Sequence, residues 1–226
     1  MRVLHQGEGL VAVDKPAGLP TEPTRDPARP NVLSALRAQW KLNESEFLAV
    51  PHRLDRDTSG VLLIARTKEA LAALNKAFAE RRARKIYVAL VHGTMLLDEG
   101  RIESFLASVG KREGIEAQGA VRSGGKKAIT TYRVLERRGG LTLVECELET
   151  GRTHQARVHM AELGHPLVGD ELYGAPAGEH ARVGRHMLHA RLIEIQGAGG
   201  YFPAMEGLIV ESELPGEFRT QMSGPV

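Results

Sequence analysis

The segment His52-Arg53-Leu54-Asp55-Arg56-Asp57-Thr58-Ser59-Gly60 runs directly into Val61-Leu62-Leu63-Ile64-Ala65. An uninterrupted apolar run of this length, after a charged stretch, reads as a buried strand. The charged residues then sit in a loop at a strand end, where functional groups are commonly displayed on a rigid scaffold. By charge alone, an aspartate between two arginines is equally an ordinary surface ion pair of small energetic weight.

The elements around this stretch can be read in order. Leu10–Asp14 is a strand ended by the breaker cluster Lys15-Pro16-Ala17-Gly18-Leu19-Pro20. Residues 21–30, with Pro23, Pro27 and Pro30, form an irregular loop, and Val32–Trp40 has helical spacing. Thr67 caps a helix through Arg82 whose apolar face is Ala70, Leu71, Leu74, Ala77 and Phe78. The basic run Arg81-Arg82-Ala83-Arg84-Lys85 is either a solvated helix end or a phosphate contact leading into the strand Ile86–Val91. Residues 93–125 are glycine-rich and weakly periodic, which predicts hairpins and a surface loop ending at Gly124-Gly125-Lys126-Lys127. That loop is not a P-loop, since Ala120 and Lys127 stand where a glycine and a Ser or Thr are needed. It is either a basic loop against a phosphate backbone or a plain hairpin tip.

Thr130–Arg137 and Leu141–Glu149 read as strands, Thr153–Leu163 as a helix, and Leu188–Ile195 as a final strand. A loop through Pro176 and Gly178 precedes that strand, and the tail carries little signal beyond Leu208–Val210. There is no repeat and no long linker. The expectation is one α+β domain over 1–226, with strands outnumbering helices.

Composition narrows the class of partner. At 226 residues, 42% hydrophobic and 26% charged, the chain can bury a substantial core. A net charge of +2 means that nucleic-acid binding would need clustered basic side chains rather than a large excess. The single cysteine, Cys146, lies in an alternating apolar segment and reads as a buried structural thiol in a reducing compartment. No apolar run is long enough to span a membrane and the N-terminus lacks a signal-peptide core, so a cytoplasmic location is expected.

His-Arg-Leu-Asp-x-x-Thr-Ser-Gly, read at 52–60, resembles the signature of the RluA-type pseudouridine synthases. Three further segments match in order: Lys15-Pro16-Ala17-Gly18-Leu19; Lys85-Ile86-Tyr87; and Gly151-Arg152-Thr153-His154-Gln155-Ala156-Arg157-Val158-His159 with Leu163–Asp170 and Tyr173-Gly174. The resemblance covers about residues 10–195. Ala156 departs from the pattern, where a larger aliphatic residue is usual. Only about nine residues precede the first expected strand, leaving no room there for the S4-type domain of many relatives.

The resemblance implies a pseudouridine-synthase catalytic domain with a mixed, mainly antiparallel sheet flanked by helices and loops. It implies an isomerase that detaches uracil from C1′ and rejoins it through C5. In the family pattern Asp55 is the catalytic carboxylate, acting either at C1′ or on the C2′ proton. Arg157 supplies the cation paired with it, and Arg152 is the alternative should the register differ. Tyr87 offers a ring for the detached base to stack on and a hydroxyl near C5. Leu188 is the apolar contact beneath the base, or core. Arg53 takes the place of the extruded base, since a stacked uridine must be flipped out before it can react. Thr58 and Ser59 fix the loop, His52 positions Asp55 or satisfies the loop, and Asp57 is exposed or pairs with a neighbouring arginine.

The implied partner is a stem-loop of transfer RNA or large-subunit ribosomal RNA, contacted by Arg81, Arg82, Arg84, Lys126 and Lys127. Neither an obligate protein partner nor a membrane is expected, and a monomer is. Other chemistries find less support. The nine histidines show no His-Glu-x-x-His and no familiar ligand spacing, so neither a metal nor a cofactor is expected. Asp55 and Asp57 are too close in sequence to flank a sugar as a glycosidase pair. Gly-x-Ser-x-Gly is absent. The alternative from a different class is a non-catalytic RNA-binding protein that kept the fold. It predicts loss of Asp55, Tyr87 or Arg157, and all three are present.

Overall fold

The buried strand after the central motif organises the first half of the protein, as seen in a computed structural model that describes residues 1–112, 115–197 and 202–223. Ten strands and five α-helices among these residues establish the α+β class. The chain falls into two compact units, Met1–Lys85 with Ala190–Glu213, and Ile86–His189 with Leu214–Val226.

In the first unit, strands β1 (Arg2–Gly7), β2 (Leu10–Lys15) and β3 (Ser59–Ala65) are successive antiparallel neighbours, with β2 running from Leu10 opposite Ala65 to Lys15 opposite Gly60. Every residue of β3 is buried, which is why its sequence shows no alternation. Helix α1 (Val32–Trp40) starts in a capping box, Asn31 accepting from Leu33 and Ser34 N–H while the Ser34 hydroxyl accepts from Asn31 N–H. Helix α2 (Lys68–Ala79) is capped by Thr67 as expected and packs Ala70, Ala73, Leu74 and Ala77 on the core formed with Leu10, Ala12, Val61 and Leu63. It stops three residues before the expected Arg82, because Arg81 turns into the left-handed region at φ 58° and β4 (Ala83–His92) begins.

The second unit orders its strands β4, β8 (Leu141–Leu148), β7 (Lys126–Arg138), β5 (Glu99–Arg112) and β6 (Ile115–Ala120), with antiparallel neighbours throughout. Helix α3 (Gln155–Glu162) covers one face through Ala156 and Met160, packed with Ala89, Val91, Tyr132, Val144, Cys146 and Leu148. The opposite face buries Val88, Leu90 and Leu143 under Phe218 and Met222 of helix α5 (Gly216–Ser223). Cys146 is fully buried, with its thiol pushed up to about 12, as a structural cysteine should be. Strand β9 (Leu188–Ile195) has the expected bounds and pairs antiparallel with β10 (Leu208–Glu211).

Several expectations are corrected. Strand β1 lies ahead of the strand expected to come first. Within 93–125 the expected hairpin is present as β5 and β6, but more of the segment is regular strand than its weak periodicity predicts. The sequence hid β5 because its inward positions are Gly100, Ile102, Ser104 and Leu106. Gly100 is required where it is, since a Cβ there would lie 2.6 Å from the Tyr132 ring. Helix α4 (Glu179–Val183) occupies part of the expected loop after Pro176, and α5 was not anticipated.

Candidate functional site

In the first unit the central motif is fastened at its backbone. The Lys15 ammonium is fully buried at the end of β2 and donates to the carbonyls of Pro16 (2.9 Å), Leu19 (2.8 Å) and Arg56 (2.9 Å). A charge buried this deeply is tolerable only with such partners. It ties the Lys-Pro-x-Gly turn to the motif 41 residues on. The Thr21 hydroxyl donates to the Leu54 carbonyl (2.7 Å) and accepts from Leu54 N–H (3.1 Å). The residue before Asp55 is thereby fixed on both sides. Asp55 itself is half-buried, and its carbonyl accepts from Thr58 N–H at 3.1 Å, closing the turn.

The remaining motif residues serve this loop. His52 Nε2 accepts the Leu63 N–H at 3.1 Å, and its ring lies 4.9 Å from that of Phe78. Burial, together with the charge of Lys85, pushes the imidazole down to about 3, so His52 is a neutral acceptor for strand β3. Asp57 is buried and takes a bidentate contact from Arg56 at 2.8 and 2.7 Å. Gly60, at φ 112°, cannot be another residue: a Cβ there would lie 2.1 Å from the Ala190 carbonyl oxygen. Arg53 is exposed, with Glu22 at 3.6 Å. Of the basic run in this unit, Arg82 pairs with Glu80 and Arg84 with Glu194, both at the surface, while Arg81 is exposed.

The second unit holds Tyr87, Arg157, Leu188, Arg152, Lys126 and Lys127. Tyr87 is half-buried on β4 opposite Cys146 and packs on the cluster that contains Leu188 and Ala156. Leu188 is buried in that cluster, as is Ala156. Gln155, at the start of α3, locks the helix to the sheet. Its amide donates to the Ile129 carbonyl and the Thr130 hydroxyl, and its oxygen accepts from the Thr150 hydroxyl and Arg152 N–H.

Arg157, in the first turn of α3, is buried against Asp170. Nε and Nη2 each reach a different carboxylate oxygen at 2.7 Å, with side chains only 8% and 1% exposed. The guanidinium carbon also lies 4.9 Å from the centre of the Tyr173 ring. Sequence reasoning missed Asp170 and Tyr173 as partners of Arg157. Gly-Asp followed by Tyr-Gly at 169–174 was the available signal.

The two lysines expected in a loop begin β7 instead. As neighbours in a strand they face opposite ways: Lys127 stands across from Phe105 and pairs with Glu103, while Lys126 stands across from Leu106. They do not form the single basic patch that their adjacency in sequence suggests. Arg152 donates from Nε to the Lys127 carbonyl at 3.0 Å. Behind these, His159 is fully buried with Nδ1 2.8 Å from the Thr130 hydroxyl and Nε2 3.1 Å from that of Ser104. Burial pushes it down to about 4, and the neutral ring satisfies both contacts. Among the described residues no three His, Cys, Asp or Glu side chains are grouped to hold a metal ion, and no helix is long and apolar enough to cross a membrane.

Both units therefore present motif residues on strand and helix ends, fixed by backbone contacts. The family profile for RNA pseudouridylate synthases matches residues 9–162. The ribosomal large subunit pseudouridine synthase D of Nitrosomonas europaea is 38% identical over 202 residues, 86% of this chain and 58% of that protein. An uncharacterized RNA pseudouridine synthase of Bacillus subtilis is 33% identical over 221 residues, 96% of this chain and 70% of that protein. Among solved structures, human RNA pseudouridylate synthase domain containing 4 superposes with a TM-score of 0.76 at 25% identity, over 98% of this chain and 92% of that one.

The chain belongs to the RNA pseudouridylate synthase family. It spans 58–60% of the length of the Nitrosomonas relative and of a similar Synechocystis protein.

Proposed function

We propose that this chain isomerises uridine to pseudouridine within RNA, with Asp55 as the catalytic carboxylate. Family membership supports the reaction class. The observation that carries the residue assignment is the way Thr21 and Lys15 clamp the backbone on either side of Asp55. A carboxylate held this way loses little freedom when substrate arrives, and pre-set geometry is where much of an enzyme's rate advantage comes from.

In this reading Tyr87 stacks on the detached uracil, Leu188 contacts the base, and Arg157 is the cation that serves the catalytic carboxylate. Arg53, exposed and only loosely paired, fills the space the flipped base leaves. Arg152, Lys126 and Lys127 contact the RNA backbone, the two lysines from opposite faces of β7. Arg82 and Arg84 contribute through surface pairs that exchange readily for phosphate, and Arg81 through its exposed side chain. The preferred substrate is large-subunit ribosomal RNA, following the name of the Nitrosomonas relative, with transfer RNA as the second class. We further propose that residues 1–226 act as one catalytic domain, as a monomer in the cytoplasm, without metal or cofactor.

The test is release of tritium from RNA labelled at C5 of uridine, since isomerisation replaces the C5–H bond with a C–C bond. Ribosomal and transfer RNA from a cell lacking the enzyme are offered separately. Release from the ribosomal pool supports both reaction and substrate class, and release from transfer RNA alone corrects the class. Salt-sensitive binding with no release from either pool would instead favour a non-catalytic RNA-binding protein.

A further inference from the structure

Asp170 and Tyr173 lie on one short turn, the Tyr173 N–H donating to the Asp170 carbonyl at 3.0 Å. That turn therefore delivers two different contacts to Arg157. The Asp170 carboxylate meets the edge of the guanidinium through two 2.7 Å hydrogen bonds, and the Tyr173 ring lies 4.9 Å from its carbon. A carboxylate on the edge sets the direction of the planar group, and an aromatic ring adds cation–π attraction. Together they fix where the outer N–H groups of Arg157 point.

The other end of Tyr173 is also engaged. Its hydroxyl accepts the backbone N–H of Gln118 at 2.9 Å and shares a 2.7 Å hydrogen bond with His154 Nδ1. Gln118 belongs to β6, the last strand in the order of the second unit. His154 is the left-handed residue from which α3 starts, at φ 56°. One side chain thus joins the Arg157 guanidinium, the root of its helix and the backbone of the β5–β6 hairpin.

We propose that Tyr173 is a positioning residue for uridine isomerisation, its ring holding Arg157 in its working orientation and its hydroxyl tying that orientation to β6. The inference rests on the activity proposed above. A tyrosine that served packing alone would, on truncation, lower stability without changing kcat per folded molecule. A positioning residue lowers kcat while leaving KM nearly unchanged, because the substrate contacts remain.

The experiment compares wild type, Tyr173→Phe and Tyr173→Leu by tritium-release kinetics, and follows the Arg157 Nε–H and Gln118 amide signals by NMR. Tyr173→Leu is expected to lower kcat by at least about tenfold, with KM within about threefold, and to move the Arg157 signal. Tyr173→Phe keeps the ring, so it should restore kcat to within about threefold of wild type while Gln118 exchanges about tenfold faster. Should Tyr173→Leu fail to fold, Tyr173→Met removes the aromatic face with less loss of bulk and is judged by the same criteria.

Wild-type kcat in Tyr173→Leu with an unmoved Arg157 signal overturns the proposal. So does an equal loss of kcat in the phenylalanine and leucine variants. A wild-type protein without turnover overturns the proposed activity and this inference together, and is recognised before any variant is compared.

Discussion

Replacing Asp170 by alanine removes two short hydrogen bonds from the Arg157 guanidinium and leaves that arginine buried. Both side chains are almost fully enclosed, at 8% and 1% exposure, so water cannot take over the lost contacts without the helix moving. Each of the two 2.7 Å bonds is charge-assisted, worth roughly 1.5–3 kcal/mol. Breaking a buried pair from one side costs about 3–5 kcal/mol, because the remaining charge keeps its desolvation penalty. Against a total stability on the order of 5–15 kcal/mol this is a severe loss. For a chain of this size it corresponds to a fall in Tm of about 6–20 °C.

Urea unfolding followed by circular dichroism measures it, together with Arg157→Met and the double variant. The double variant is expected to lose less than the sum of the two single losses, since no charge is left behind. An Asp170→Ala protein within about 1 kcal/mol of wild type would refute the view that this buried pair carries a large share of the stability.

Other perturbations have equally definite outcomes. His159 titrates at about 4 in the folded protein against 6.5 when exposed, so the unfolded chain binds the extra proton between those values. Its contribution to stability is complete above about pH 6.5 and is lost as pH falls towards 4. His159→Gln should lower the slope of stability against pH in that window by up to about 1.4 kcal/mol per unit, and an unchanged slope would contradict the assignment. Cys146, buried and with its thiol pushed up to about 12, should resist a thiol reagent in the native protein and react on unfolding. Gly60→Ala should cost at least about 2 kcal/mol in chemical unfolding, since the added Cβ meets the Ala190 carbonyl oxygen and the backbone is at φ 112°. A neutral substitution there would mean that the loop re-forms some other way.

What the sequence revealed follows from how strongly each element signals burial locally. Strand β3 and helix α2 were legible because one is apolar throughout and the other carries a Thr67 cap and a regular apolar face. Strand β1 was not, since only part of Arg2–Gly7 is covered. Helix α5 buries only Phe218 and Met222 in eight residues, too sparse a stripe to show a period. Strand β5 was masked by a glycine and a serine at inward positions.

At the site the motif residues could be named by resemblance, but not their supports. Nothing in the order of residues shows that Lys15 is buried beneath Arg56, or that Thr21 brackets Leu54. Asp170 lies 13 residues beyond Arg157, past the end of α3, so the pairing exists only once the chain has turned back. The lysines at 126 and 127 looked like one basic patch because glycines precede them, and strand geometry divides them between two faces.

The most direct test of the central claim is a single-turnover comparison of wild type and Asp55→Asn on C5-tritiated RNA, with a chelator present and RNA binding measured in parallel. Asn is nearly isosteric with Asp and keeps the loop backbone contacts, so the account predicts matched binding, tritium release by wild type and none by the variant. Release by Asp55→Asn at the wild-type rate would contradict Asp55 as the catalytic carboxylate.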